Sequence, residues 1–302
     1  MRDVYILYNP NADNGRGKED AEVLGVCYPN AVMIDMTRIT RYPFFFEGLE
    51  KDDAVIICGG DGTLNRFVND TNGIEIRNEL YYFACGTGND FTRDIGHSSY
   101  DDPKFPINRY LANLPSVTIN GKSTLFLNNV GFGIDGYCCE EGDTFREKNK
   151  ERKNHKPVNY TAIAIKGLLF HFKPRNAVVS VDGKQYTYKQ VWLAPTMNGR
   201  YYGGGMIPTP DQDRLRQDRK VSLMVFHGTG KLRTLMIFPS IFKGEHIRYK
   251  KFVTILDGHD IRVEFDRPAP LQIDGETITN VSSYEVKTGI VQKKKLFSDS
   301  LT

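Results

Sequence analysis

Short apolar runs alternate with amphipathic stretches over the first third of the chain. "DVYILY" (3–8) reads as a buried strand that stops at Asn9-Pro10, and the turn residues and glycines of "NADNGRGKED" follow it. "NAVMIDM" (30–36) is a second strand. Thr40 is placed to cap a helix from about 41 to 50, with Pro43 in its first turn. "DAVIICGG" (53–60) is a third strand, and Leu64, Phe67 and Val68 then recur at helical spacing. "ELYYFACGTGND" (79–90) runs from strand into a glycine turn, and "DFTRDIG" reads as helix. Strands that alternate with helices predict a parallel sheet covered on both faces.

The pattern changes near residue 115. Short strands and glycine turns dominate from there, as in "NAVVSVDGKQYTY", "QVWLAPTMN" and "KVSLMVFHG", with Asn120-Gly121 and Asp182-Gly183 as hairpin signals. One helix is predicted at about 157–171, with Ala162, Ile165, Leu168 and Leu169 on one face. Phe238, Ile241 and Phe242 share another helical face and read as core. The fold class is therefore α/β plus all-β. An α/β domain spans 1–115, a mostly antiparallel β domain spans 116–285, and the tail from about 286 to 302 has no partner of its own.

Composition narrows this picture only a little. The 302 residues carry a net charge of +3, which permits anionic lipids or nucleotides as partners and gives no reason to invoke nucleic acid. Five cysteines without a CxxC pair read as reduced thiols of a cytoplasmic protein. No signal-peptide pattern opens the chain, and no run reaches 18 apolar residues, so a lipid substrate would be met from outside the bilayer. The basic run 145–156 reads as a solvated loop or helix end, or as a patch for anionic headgroups. The six histidines have no metal-ligand spacing.

The chemistry lies in "IICGGDGTLNRF" (56–67). Gly59, Gly60 and Gly62 let backbone approach a phosphate, and the following helix turns its N–H groups toward an anion. No Lys-Ser/Thr pair follows, so this is not a Walker loop. Asp61 sits between the glycines instead. A carboxylate beside phosphates implies Mg²⁺, or a role in orienting a hydroxyl. "NPNADNGRG" and "CGTGNDF" repeat the arrangement after the first and fourth strands, and such loops face one crevice in an open parallel sheet.

Taken in order, "NPNADNGRG", "GGDGTLNRFVND", "GTGNDFTR", "NNVGFGID", "NGRYYGGGM" and "LQIDGE" resemble the diacylglycerol kinase catalytic-domain family, in its bacterial soluble lipid-kinase branch. The motifs run from residue 9 to 276. The resemblance implies a Rossmann-like, NAD kinase-like ATP-binding domain and a C-terminal β-sandwich, with the cleft between them and the tail returning to the first domain.

It also implies roles. Asn9, Gly15 and Gly17 match a first nucleotide loop, Thr40 a nearby threonine, Gly59, Gly60, Asp61, Gly62 and Thr63 the phosphate loop, and Gly86 and Thr87 a third contact. Asp61, Asp90 and Asp135 match acids of a Mg²⁺ network, although Asp90 also reads as a helix cap and Asp135 as a turn residue. Glu276 matches a general base, with Asp274 beside it. Both leave one face if the strand is regular, and Gly275 allows a turn instead. Leu215, Asp218 and Lys220 match a second, structural Mg²⁺ site, where Arg219 replaces the family's glycine.

The expected activity is ATP- and Mg²⁺-dependent phosphorylation of a lipid hydroxyl, with diacylglycerol as default acceptor. It would occur at the inner membrane face through peripheral contact with anionic lipid. An NAD kinase and a nucleotide-binding regulator with weak kinase activity are the alternatives. Edge strands of the β domain offer a route to a homodimer.

Overall fold

The computed structural model describes residues 3–12, 15–86, 88–101, 103, 105–149, 163, 166–167 and 172–289. Its first sheet has the order β2-β1-β3-β4, all parallel, formed by β1 (Val4–Tyr8), β2 (Val32–Asp35), β3 (Ala54–Gly59) and β4 (Glu79–Ala84). Every residue of β3 is buried, as a central parallel strand covered on both faces requires. Successive side chains leave opposite faces. Leu7, Val55 and Ile57 pack with Leu64 and Phe67 of α3 (Asp61–Asp70), while Ile6, Ile56 and Cys58 pack with Ala21 and Leu24 of α1 (Gly17–Gly25). Each such fully buried side chain contributes about 1.5–3 kcal/mol.

The helix after Thr40 is shorter than expected and capped differently. It is α2 (Tyr42–Glu47), with Pro43 in its first turn as expected. Its N-cap is Arg41 in extended backbone without a side-chain bond, and Thr40 is exposed beyond the edge strand. In α4 (Asp90–Asp94) the N-cap is Asn89, left-handed at φ 49°, so Asp90 is the first helical residue rather than the cap.

From Ser116 the strands belong to a second, antiparallel sheet. Three of its strands matter for the site: β5 (Asn129–Gly133), β6 (Asp260–Ile273) and β7 (Glu276–Lys287). The strand β6 pairs with both others, and Phe132, Phe265 and Tyr284 stack in the core between them. Asp274 and Gly275 connect β6 to β7 as a two-residue turn with φ 47° and 91°, the left-handed pair that suits Asp-Gly in a tight hairpin. This resolves the alternative left by the sequence: Asp274 and Glu276 do not share a strand face.

The strand β5 leads directly into α5 (Ile134–Asn149), a helix the β-rich reading did not anticipate, and the start of the basic run forms its end. The rest of that run, most of the helix predicted at 157–171, and the tail from 290 lie outside the described residues. Phe238 and Ile241 are buried in a second core cluster of the antiparallel domain, with Phe242 packed against it.

Candidate active site

Three loops leave the carboxyl edge of the parallel sheet side by side. At the first, a Cβ on Gly17 would lie 2.0 Å from the Asn9 carbonyl oxygen, so only glycine lets α1 begin against the turn. Gly15 holds φ +90° with open space around it, and Asn9 Oδ1 accepts from the Asn11 N–H at 3.0 Å. The second and third loops touch. A Cβ on Gly86 would lie 2.6 Å from Gly60 Cα, and the Cys85 N–H donates to the Gly59 carbonyl at 3.1 Å. Beneath them Cys58 and Cys85 are buried as free thiols with sulfurs 3.7 Å apart. Thr63 is buried, and a Cβ on Gly59 would strike its side chain at 2.5 Å. Gly62 is exposed at the helix start, and Thr87 lies outside the described residues.

Asp61 opens α3 and reaches across to α4. Its Oδ2 accepts the Asp90 N–H at 2.8 Å and its Oδ1 the Phe91 N–H at 3.2 Å. Asp90 Oδ2 in turn accepts the Gly204 N–H at 3.0 Å, from a loop whose Gly203, Gly204 and Gly205 all have positive φ. The other oxygen, Oδ1, is buried without a hydrogen-bond partner among the described residues, and Arg93 Nη1 stands 3.7 Å away. A Cβ on Gly88 would lie 3.7 Å from Asp61 Oδ2 and 3.8 Å from Asp90 Oδ2, so the two carboxylates close on one point. Burial, and then the Asp61 charge, push the Asp90 carboxyl up to about 7. Burial also raises Asp61, against its two N–H donors and the Arg214 charge.

Two desolvated carboxylates with one oxygen left over suit a divalent cation. Mg²⁺ is commonly held by one or two carboxylates and completed by phosphate and water oxygens. No group of three metal-ligating side chains occurs among the described residues, so phosphate would have to supply the remainder. Asp135 is the second residue of α5, and its side chain is outside the described set.

The β6–β7 turn brings two acids to this place with opposite fates. The Asp274 carboxylate accepts four hydrogen bonds: from the N–H groups of Leu127 (2.6 Å), Asn128 (2.7 Å) and Asn129 (3.0 Å), and from Asn65 Nδ2 (2.7 Å). Burial raises its pKa, and these donors pull it back. Such a carboxylate has little capacity left to accept a substrate proton. Glu276 is exposed, and its Oε1 lies 3.6 Å from where a Cβ on Gly62 would stand. It therefore faces the start of α3 across the cleft.

The residues matched to a second Mg²⁺ site do not fit one. Both oxygens of Asp218 are taken by Arg216, at 2.6 Å from Nε and 3.1 Å from Nη2, and the Arg216 charge and hydrogen bonds hold the Asp218 carboxyl below its usual range. Leu215 and Lys220 would contribute main-chain oxygens, and the Lys220 carbonyl already accepts from Gln212 Nε2 at 3.1 Å. Arg219 is left-handed at φ 53° where the family pattern has glycine, so the backbone shape persists although the side chain has changed.

Sequence reasoning missed the clamp between the domains. Asp94 of α4 is buried and accepts from Arg214 Nε at 2.5 Å and Arg200 Nε at 3.0 Å, while Arg214 Nη2 donates to Asn128 Oδ1 at 2.9 Å. Gly199 makes the room, since a Cβ there would lie 2.2 Å from Arg214 Nη2. The only advance signal was glycine beside arginine in "NGRYYGGGM".

Comparison with known proteins agrees with this architecture. Residues 3–116 match the diacylglycerol kinase catalytic domain, and residues 129–292 match the YegS C-terminal NAD kinase beta sandwich-like domain. A diacylglycerol kinase of Mycobacterium tuberculosis is 26% identical over 209 residues, and that alignment spans 67% of this chain and 64% of the relative's length. A Bacillus subtilis protein provisionally named lipid kinase YtlR is 23% identical over 239 residues, covering 75% of this chain and 74% of the relative. A solved diacylglycerol kinase structure from Bacillus anthracis superposes with a TM-score of 0.56 at 19% identity, covering 95% of this chain and 93% of that one, which speaks for the fold. The chain spans about two thirds of that Mycobacterium tuberculosis relative, and by its residues 129–292 it belongs to the family of the YegS C-terminal NAD kinase beta sandwich-like domain, here preceded by a segment that matches the diacylglycerol kinase catalytic domain.

Proposed function

We propose that this protein transfers the γ-phosphoryl group of ATP to a lipid hydroxyl in a Mg²⁺-dependent reaction, with diacylglycerol as default acceptor. One observation carries the reading. An exposed carboxylate, Glu276, stands opposite a helix start where half-buried Asp61 and buried Asp90 meet, and Asp90 Oδ1 has no hydrogen-bond partner among the described residues. The glycine edges at Gly15, Gly17, Gly59, Gly60, Gly62 and Gly86 keep the cleft floor free of side chains, so backbone N–H groups can meet phosphate oxygens.

Phosphoryl transfer asks mainly for positioning and charge neutralisation. Asp61 and Asp90 would hold Mg²⁺, which when bound offsets the charge gathering on the phosphates. Arg93, half-exposed beside Asp90, adds a second cation at the cleft. Glu276 accepts the proton of the attacking hydroxyl. Asp274 sets the turn that carries Glu276 and ties it to Asn65 of α3, so the base and the phosphate loop keep one spacing.

The test is a radiolabelled-ATP screen against extracted lipids, with each product identified by mass and NAD as a parallel acceptor. A labelled lipid and unlabelled NAD support the reading, and labelled NAD alone overturns it. Glu276→Gln should cut turnover by roughly 10²–10⁴-fold while ATP binding persists. Unchanged turnover would remove Glu276 from its role.

A further inference from the structure

The helix Lys231–Ile237 is amphipathic in an unusual sense. Its inner side is settled: Thr234 and Ile237 are buried, and they continue into Phe238 and Ile241 of the second core cluster. Its start is pinned by Trp192 Nε1, which donates to the Thr229 carbonyl at 2.7 Å. Its outer side carries Leu232 and Met236, one turn apart, 78% and 76% exposed. Isolated exposed apolar residues are ordinary, whereas Leu232 and Met236 lie one turn apart on the same helix side and form a small apolar patch.

The surrounding charge names the occupant of that patch. Lys231, Arg233, Lys243, Arg248, Lys250 and Lys251 are all exposed, and the one acid between residues 231 and 251 is Glu245, which pairs with Arg248 at 2.7 Å. Two of them meet beside the helix: Arg233 stands 5.1 Å above the Phe252 ring, and Lys251 stands 5.9 Å from it. A second pair of exposed apolar residues, Val23 and Val26 at the end of α1, follows Glu19, Asp20 and Glu22. There Glu19 and Glu22 pair with Arg16 and Lys18, so the end of α1 has no comparable excess of cations to hold an anionic surface.

We propose that Leu232 and Met236 insert into the interface of an anionic lipid bilayer, with Lys231, Arg233, Lys250 and Lys251 on its headgroups. The short helix Phe238–Lys243 that continues from it makes the connection to the cleft. Ile241 accepts from the Ile207 N–H at 3.0 Å, and Ile207 follows the Tyr202–Met206 turn whose Gly204 holds Asp90. The proposal deepens the lipid-kinase reading, and rests on it, by naming the surface that meets the lipid phase.

The experiment is co-sedimentation of the full chain with phosphatidylcholine vesicles that contain either no phosphatidylglycerol or roughly 30 mol% of it. Wild type should bind the anionic vesicles and lose binding as salt rises. The double variant L232S/M236S should partition roughly 30- to 100-fold less, because two large apolar side chains no longer enter the interface. K250Q/K251Q should weaken binding about tenfold or more and flatten the dependence on anionic lipid. V23S/V26S should bind as wild type does.

Equal binding by L232S/M236S and wild type, or no binding by wild type, overturns the proposal. So does a loss of self-association in L232S/M236S, which would make a second copy of the chain the occupant. Melting temperature checks that each variant folds. Phosphorylation of a water-soluble short-chain acceptor separates the two readings. If L232S/M236S keeps that activity but loses vesicle binding, both stand. If wild type binds vesicles through this patch and phosphorylates no acceptor, docking stands and the kinase reading falls.

Discussion

Two places in this molecule present acids in a family metal pattern, and they differ in what their oxygens already do. In the cleft, Asp61 and Asp90 spend their hydrogen bonds on the N–H groups of Asp90, Phe91 and Gly204, and Asp90 Oδ1 is left over in a buried position. In the loop around Asp218, both carboxylate oxygens face the guanidinium of Arg216, which also approaches Asp257 at 3.4 Å. The first arrangement has Arg93 at 3.7 Å, beyond hydrogen-bond reach of that oxygen, and so leaves room for a cation from solution. The second carries its own. A metal motif is therefore legible only after the donors around it have been counted.

The largest expected effect follows from that contrast. Asp61→Asn or Asp90→Asn should lower Mg²⁺-dependent turnover by at least about a thousandfold, since each removes a charge that positions the phosphates. Asp218→Asn should change it by less than roughly threefold. Steady-state kinetics across a Mg²⁺ titration checks both. Comparable losses at the two places would erase the distinction.

How far the sequence could take this argument depends on the residue. The glycine loops were legible because a missing Cβ is a local statement: Gly17 against Asn9, and Gly60 against Gly86, are contacts that only glycine allows. That the first sheet is parallel followed from alternation alone, whereas its order, β2-β1-β3-β4, is read only from the structure. Asp274 and Glu276 were ambiguous because two rules compete there. Alternation puts them on one face, and Asp-Gly favours a left-handed turn, which is what the chain adopts. The Asp94–Arg214–Asn128 clamp was not legible, since its members are far apart in sequence and only domain docking joins them. Arg216 was hidden for a different reason. It lies two positions from Asp218, but nothing local says that its side chain turns back onto that carboxylate.

Asp274 tests whether a fully satisfied carboxylate near the cleft acts through structure alone. Asp274→Ala strands three backbone donors and Asn65, and should cost about 2–4 kcal/mol, a fall of roughly 5–10 °C in melting temperature. Asp274→Asn keeps acceptor oxygen and should recover part of that loss. If both variants melt as wild type does while turnover collapses, Asp274 belongs with Glu276 in the chemistry.

Arg216→Met probes the self-supplied cation. The pair lies at the surface, where solvent screens it, so its loss should change stability little. The informative readout is metal response. Without nucleotide, wild-type melting should be the same in Mg²⁺ and in chelator. In the variant, Asp218 and Asp257 lose the guanidinium they share, and Mg²⁺ should raise the melting temperature. A wild type already stabilised by Mg²⁺ without nucleotide would mean that a metal binds outside the cleft.

The smallest effect concerns another buried atom without a partner. His246 is fully buried, and its Nε2–H donates to the Pro208 carbonyl at 2.8 Å, because that oxygen can only accept. Its Nδ1 has no hydrogen-bond partner among the described residues, as Asp90 Oδ1 has none. The difference is charge. A neutral ring nitrogen in an apolar core needs no ligand, whereas a carboxylate does. Burial lowers the His246 pKa, so the folded state refuses a proton that the unfolded state accepts near its ordinary value of about 6.5. The unfolded state then binds more protons below that pH, and stability must fall as pH falls. Denaturation in urea at pH 7.5 and 5.5 should show a loss in wild type that is smaller in His246→Gln. If the two proteins lose equally, the ring is already protonated in the fold, and an unpartnered buried atom here is no more innocent than the one in the cleft.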